Sequence, residues 1–127
     1  MKINTLEVWH HVVKEGDIEA LDGLLSDSAE FHSPIVHTPQ KGKLITIMYL
    51  SAAFGVLVNK SFHYVREIVD QNGAILEFMV EIDGITVNGV DMLTWDDDGK
   101  IIEFKVMLRP LKAIQLIHQK MAAILKK

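Results

Sequence analysis

The chain has 127 residues, and its 13 lysines and arginines against 17 aspartates and glutamates give a formal net charge of -4. Hydrophobic residues make up 49% of the chain, which is enough for the core of one ordinary domain and argues against disorder. The acidic balance argues against a phosphate-reading surface, and the absence of cysteine excludes disulfides, thiolate metal sites and a cysteine nucleophile.

The first third of the chain is predicted to fold into two helices and a strand. Apolar residues recur at three- and four-residue steps from Ile3 to Val13, which predicts an amphipathic helix that ends near Gly16. Asp17 is the expected N-cap of a short second helix. A strand is predicted over residues 29–33, and the loop from Pro34 to Gly42 is predicted to be irregular because of its prolines and glycine.

A helix, four strands and a last helix are predicted for the remainder. Residues 43–57 return to a helical period, with so many apolar residues that the helix is expected to be covered on more than one side. Beyond Asn59 the period changes to two, which predicts a four-strand antiparallel meander. Pro110 then opens a helix through Leu125. The predicted inward face of the helix over 43–57 is Ile45, Met48, Tyr49, Ala52, Ala53 and Val56.

These elements predict an α+β fold in which a curved antiparallel sheet wraps around the N-terminal helices, with one more helix at the C-terminus. Alternation along the strands assigns one apolar face to the core. The predicted inward residues are Leu76, Phe78, Val80 and Ile82 in one strand, and Ile102, Phe104, Val106 and Leu108 in another.

One carboxylate falls on the apolar side of the strand over 85–95. Asp91 alternates in phase with Val87, Leu93 and Trp95, so its side chain is predicted to point inward. Ionising it there is costly unless a donor or water lies beside it. Two interpretations stay open: a structural Asp91 that satisfies a backbone amide or pairs with a helix residue such as His10, and an acid of raised pKa that lines a ligand cavity.

Three segments of the chain together have a recognisable pattern. They are Gly16-Asp17-Ile18-Glu19-Ala20-Leu21, Ser33-Pro34 with Gly42 beyond, and Val90-Asp91-Met92-Leu93-Thr94-Trp95 through Gly99-Lys100-Ile101. They resemble the nuclear transport factor 2-like superfamily, which includes the SnoaL-like polyketide cyclases and ketosteroid isomerase. The resemblance extends over essentially the whole chain and implies one domain over residues 1–127, with a cone-shaped fold that encloses one pocket. It also implies a homodimer through the outer face of the sheet.

The resemblance to ketosteroid isomerase assigns one catalytic role and leaves two unmatched. Asp91 matches the protonated Asp that donates a hydrogen bond in the oxyanion hole of that enzyme. Ser33 falls where its general-base Asp would be, and Trp9 where its donor Tyr would be. A serine does not replace a carboxylate as a proton shuttle near neutral pH, so the chemistry of ketosteroid isomerase itself is not expected. Trp9 can still donate through its indole N–H.

The expected pocket is mainly apolar, with Asp91 and Ser33 as polar points. The same residues also describe an ordinary core, and the resemblance favours a cavity. The predicted ligand-binding residues are Trp9, Val13, Ser33, Met48, Tyr49, Leu76, Phe78, Val87, Leu93, Trp95, Phe104 and Val106.

The histidines do not have the spacing of a metal site, and no cofactor is expected because glycine-rich phosphate loops are absent. His32 is a possible accessory proton carrier, although it alternates out of phase with Phe31 and Ser33. The segment from Met1 to Glu15 lacks the apolar core of a signal peptide, and the stretch from Leu44 to Val58 is too short for a membrane span. A cytoplasmic location is therefore expected.

The leading hypothesis is a cofactor-independent isomerase, cyclase or hydratase that acts on a compact apolar carbonyl or polycyclic compound, with Asp91 as proton donor or shuttle. The alternative is a non-catalytic ligand-binding or dimerisation module in which Asp91 is structural. The expected partners are a small apolar ligand and a second copy of the chain, without nucleic acid or membrane.

Overall fold

The structure is a computed structural model that describes residues 4–125. These residues form four helices and six strands. Ile3, predicted to start the first helix, lies outside this range, as do Lys126 and Lys127. The elements are α1 (Thr5–Glu15), α2 (Ile18–Leu24), β1 (Leu25–His32), β2 (Gln40–Lys41), α3 (Lys43–Leu57), β3 (His63–Asp70), β4 (Gly73–Ile82), β5 (Ile85–Trp95), β6 (Ile101–Arg109) and α4 (Leu111–Leu125).

The first two helices are bounded by the residues that the sequence indicates. The side chain of Asn4 accepts a hydrogen bond from the Glu7 N–H at the start of α1. Gly16 ends α1 in the left-handed region with φ of 66°, where a side chain is disfavoured. Asp17 caps α2 by accepting from the Ala20 N–H at 3.0 Å, so the sharp turn between the two helices is fixed locally.

The sheet has the strand order β2-β1-β6-β5-β4-β3. β3 to β6 form the predicted antiparallel meander. β1, however, runs parallel to β6, so the sheet is mixed, and the antiparallel pairing predicted for the meander does not extend to β1. This pairing joins segments about 70 residues apart, and alternation within each strand carries no information about it. The loop predicted to be irregular also contains β2, whose Lys41 pairs with Glu30.

Strand alternation places the core side of the sheet correctly in β4 and β5. The predicted inward residues of β4 are buried, and Asp91 is buried in β5 among its apolar neighbours. In β6 the prediction is wrong at one position, because Ile101 is buried in place of Ile102. A register shift between Thr94 and Trp95 causes the difference, since Thr94 pairs with Glu103 while Trp95 pairs with Ile101.

Helix α3 has the predicted bounds but a different rotation. Ala52 and Val56 are buried as predicted, whereas Met48 is 47% exposed and the Thr46 side chain is buried. Thr46 tolerates burial because its hydroxyl donates to the Gly42 carbonyl at 2.8 Å. None of the four helices within residues 4–125 has the length and hydropathy that a membrane span requires.

Candidate functional site

A partly open cavity of about 220 Å³ lies between the sheet and helices α1, α3 and α4. Aromatic rings form much of its wall. Trp9 of α1 packs against Phe104 of β6 with ring centroids 4.8 Å apart, and Phe31 of β1 stacks on Tyr49 of α3 at 5.3 Å. These contacts join the helices to the sheet around the cavity, so its apolar lining is part of the core that stabilises the fold.

The volume of the cavity restricts what it can hold. A dry apolar cavity of about 150 Å³ accommodates benzene, and pockets for drug-sized ligands begin near about 300 Å³. At about 220 Å³ the cavity lies between these limits, which matches a molecule of one or two rings.

The opening of the cavity lies between α4 and the loop that follows β1. Of the residues that line the cavity, Val36 in the loop is exposed, as are His118 and Ala122 on α4. The deeper lining residues on the sheet, Phe78, Asp91 and Phe104, are buried. The cavity thus extends from an opening beside α4 to the carboxyl group of Asp91 at the sheet.

Asp91 lies in the middle of the sheet, paired with Leu76 of β4 and Val106 of β6. Its side chain lines the cavity, and the residue is 7% exposed. Burial penalises the charged form and raises the pKa of Asp91 to about 7, although the hydrogen bond from Tyr64 pulls that pKa down. Near neutral pH, a substantial fraction of Asp91 is therefore protonated.

A chain of two hydrogen bonds connects α1 to Asp91 through β3. The indole Nε1–H of Trp9 donates to the Tyr64 hydroxyl oxygen at 3.0 Å, and the Tyr64 hydroxyl donates to Asp91 Oδ2 at 2.8 Å. The direction is fixed, because an indole N–H can only donate and Tyr64 has a single proton to give. Burial and the nearby carboxylate raise the pKa of Tyr64 well above its ordinary value, so this hydroxyl keeps its proton.

This direction determines which oxygen of Asp91 can carry a proton. Oδ2 accepts from Tyr64, so the acidic proton of a neutral Asp91 belongs on Oδ1. Within residues 4–125, no group donates a hydrogen bond to Oδ1, and this atom is not completely buried. Because Asp91 lines the cavity, Oδ1 keeps contact with it. The site can thus present an O–H donor when Asp91 is neutral and an acceptor when it is ionised.

The structure brings part of the predicted lining together with Asp91. Met48 does not line the cavity because it lies on the exposed side of α3. Leu76, Leu93 and Trp95 are buried away from the cavity, in the core next to α1 and α2, and Val87 packs in the cluster that includes Ile117 of α4. The predicted residues that line the cavity are Trp9, Val13, Ser33, Tyr49, Phe78, Phe104 and Val106.

Ser33 and His32 lie on different sides of the end of β1. Ser33 lines the cavity, and its Oγ accepts from the backbone N–H of Ile35 at 3.0 Å and, at 3.4 Å, from that of Val36. His32 does not line the cavity. Its Nε2 lies 3.5 Å from Glu103 Oε2 and, within the described range, has no hydrogen-bond partner. The polar role of Ser33 in the structure is thus to order the loop at the opening.

Sequence reasoning missed Tyr64 and gave His118 no role. The alternation of β3 is obscured by a register shift between Tyr64 and Arg66, so the inward position of Tyr64 is not visible in the pattern. The available signal was chemical, since a buried Asp91 requires a donor and the chain has only two tyrosines. His10, considered as a partner for Asp91, is instead hydrogen-bonded to Glu67 at 2.8 Å.

A protein-family model described as a SnoaL-like domain matches residues 6–104. The chain belongs to the SnoaL-like domain family. The predicted resemblance is thereby confirmed, together with its α+β fold. Among residues 4–125, no three His, Asp or Glu side chains are grouped as metal ligands would be.

Solved structures support the assignment of this SnoaL-like protein. A steroid delta-isomerase from Pseudomonas aeruginosa is 33% identical, with 96% of this chain and 89% of that chain covered and a TM-score of 0.90. An uncharacterised protein with a cystatin-like fold from Silicibacter pomeroyi is 26% identical over 94% of this chain and 84% of that chain, with a TM-score of 0.87.

A candidate SnoaL-like polyketide cyclase from Jannaschia is 13% identical over 89% of this chain and 90% of that chain, with a TM-score of 0.69, which shows a shared fold alone. A comparison with curated proteins gives no significant match.

Proposed function

We propose that this SnoaL-like chain works as one domain that binds a compact, mainly apolar molecule with a carbonyl oxygen, and that Asp91 is the proton donor or shuttle for that molecule. The observation that carries the proposal is a carboxyl group of pKa about 7 whose Oδ1 contacts a mainly apolar cavity. A neutral Asp91 donates a hydrogen bond to a carbonyl oxygen, and this bond strengthens as negative charge develops there.

The chemistry that suits this arrangement is isomerisation, cyclisation or hydration without a cofactor. Each reaction passes through a species with extra charge on a carbonyl oxygen or moves a proton over a short distance. Low polarity around Asp91 strengthens its hydrogen bond to such a species. The Tyr64 hydroxyl, which accepts from the Trp9 indole N–H, donates to Oδ2 and holds it in place, so the position of Oδ1 is preorganised before a ligand binds.

A steroid delta-isomerase activity is the second candidate, because a protein with that name is 33% identical over 96% of this chain. Two features argue against it. Ser33 occupies the position where the resemblance expects the base, and its Oγ is engaged with loop amides. The cavity of about 220 Å³ suits a smaller ligand. An assay with a Δ5-3-ketosteroid distinguishes the candidates, since turnover of the steroid would favour this second function.

A non-catalytic binding or dimerisation module remains the alternative from another class. The outer face of the sheet carries apolar residues that are well exposed, with Ile68 at 57%, Ile75 at 41% and Met107 at 54%. Such a face suits an isologous homodimer. Sedimentation of the full chain tests the dimer, which stays a prediction together with the cytoplasmic location.

A cavity-filling substitution tests the binding proposal. Ala53 of α3 lines the cavity, whereas Ala123 of α4 is exposed and does not. We expect compact bicyclic ketones and phenols, screened by thermal shift, to stabilise the wild-type chain and the Ala123→Phe variant, and we expect Ala53→Phe to lose most of that stabilisation. Equal stabilisation of all three proteins would place binding elsewhere. No stabilisation by any compound of this class would contradict the proposal.

A further inference from the structure

His118 is a second titratable side chain on the same cavity, and the role proposed for Asp91 does not use it. The residues of α4 that line the cavity are Ile117, His118, Met121, Ala122 and Leu125. The last four of these follow Ile117 by one, four, five and eight residues, which is the spacing of one face of a helix, and His118 lies within that face. Lys120, outside the lining, pairs instead with Asp83 at 3.1 Å.

The imidazole of His118 differs from those of His10, His11 and His63 in what surrounds it. Side-chain or backbone oxygens lie 2.8 Å from His10, 2.9 Å from His11 and 2.8 Å from His63. Within residues 4–125, His118 makes no such contact, and it lies at the opening of an apolar cavity. Its ring nitrogens are therefore available to a molecule bound there.

The remaining polar groups of the cavity cannot take a proton from carbon near neutral pH. Tyr64 directs its proton to Asp91 and keeps it, because its pKa is raised well above the ordinary value. Ser33 accepts two backbone N–H groups, and its hydroxyl, like that of Tyr49 in the same lining, is a poor base in any case. Asp91 is the only carboxyl group in the described lining, so His118 is the group that complements it.

We infer that His118 is the general base and Asp91 the acid of one proton-transfer site, and that its substrates are compact cyclic ketones with an acidic C–H beside the carbonyl. This inference rests on the proposed function. In the forward step the C–H bond breaks and its proton moves to a ring nitrogen of His118. The electron pair forms a C=C bond, and the carbonyl π pair moves to oxygen, which receives the hydrogen bond or proton of Asp91 Oδ1. In a ketone with a C=C bond at the β,γ position, the proton on His118 then moves to the γ-carbon and Asp91 Oδ1 keeps or recovers its own proton, which completes an isomerisation. In a ketone without that bond the proton returns to the same carbon, and the net result is exchange.

The test follows the exchange of the α-hydrogens of 2-tetralone for deuterium in D₂O, measured by proton NMR against a protein-free blank. This ketone has two fused rings and an activated CH₂ group, so it matches the size and chemistry argued above. We expect the wild-type chain to accelerate exchange, and we expect His118→Gln to lower the protein-dependent rate by about tenfold or more. His63→Gln, which changes an exposed histidine outside the cavity, is the matched control and should exchange at the wild-type rate.

Binding of 2-tetralone, measured separately by thermal shift, distinguishes the two proposals. Because His118 is exposed, His118→Gln should fold and bind 2-tetralone with an affinity within about twofold of wild type. If His118→Gln accelerates exchange at the wild-type rate, the role of His118 is overturned while the cavity proposal stands. Binding without accelerated exchange in the wild-type chain would do the same. If 2-tetralone does not bind, this inference is contradicted, and the proposed function is contradicted as well if no other compact bicyclic ketone or phenol of the screen binds.

Discussion

Replacing Asp91 with Asn should change how the stability of the protein depends on pH. In the unfolded chain this carboxyl has its ordinary pKa of 3.8, and burial raises the pKa to about 7 in the folded protein. Between these values the folded state binds more protons than the unfolded state, so stability falls as pH rises from about 4 to 7 and stays reduced above. Asn is neutral throughout and lacks this contribution.

The size of the effect follows from the two pKa values. A difference between 3.8 and about 7 corresponds to about 4 kcal/mol, at about 1.4 kcal/mol for each tenfold change in proton affinity. The free energy of unfolding of Asp91→Asn minus that of the wild type should therefore increase by about 4 kcal/mol between pH 4 and pH 8. The Tyr64 hydroxyl can still donate to the Asn oxygen, so the variant keeps that hydrogen bond.

Urea denaturation from pH 4 to pH 8, followed by circular dichroism, measures this difference. Asp97→Asn is the matched control, because Asp97 lies exposed in the turn between β5 and β6 and its substitution removes the same charge without burial. A difference curve for Asp91→Asn that is flat, or that falls with pH, would show that folding does not disfavour the ionised form. The argument from burial would then be wrong.

Two further substitutions test the surroundings of Asp91. Tyr64→Phe removes the hydrogen bond that lowers the pKa of Asp91, so carbon-13 NMR should show that pKa rising above about 7. The same substitution leaves the Trp9 N–H without its acceptor, so urea denaturation should show a loss of about 1–3 kcal/mol in the free energy of unfolding. An unchanged or lower pKa would contradict the hydrogen-bond chain. Gly89→Ala places a Cβ in steric conflict with the Phe78 ring, so the variant should lose about 1–3 kcal/mol, and unchanged stability would refute the close packing.

The position of Asp91 could be predicted because β5 is long and three large apolar residues, Val87, Leu93 and Trp95, alternate in phase with Asp91 and determine its orientation. The bounds of α3 and the cap at Asp17 were equally local properties of the sequence. What surrounds Asp91 was not local. Tyr64 reaches it from β3, two strands away across β4, and depends on the strand register at an irregular point.

The rotation of α3 illustrates a second limit of sequence reasoning. Its apolar residues surround the helix, so periodicity alone did not identify the side that faces the sheet, and Met48 was assigned to the cavity although it is exposed. Thr46 was the informative residue. Its hydroxyl is satisfied by the backbone of its own helix start, so a residue that counts as polar in the pattern is buried.

The measurement that tests the account most directly is a carbon-13 NMR titration of the Asp91 carboxyl group, with and without 2-tetralone. We expect a midpoint near pH 7 in the free protein, because burial outweighs the hydrogen bond from Tyr64. We expect a higher midpoint with 2-tetralone bound, since the carbonyl oxygen accepts a hydrogen bond from the neutral acid alone. A midpoint near 4, or one that bound 2-tetralone does not move, would contradict the claim that Asp91 is the acid of a ligand cavity.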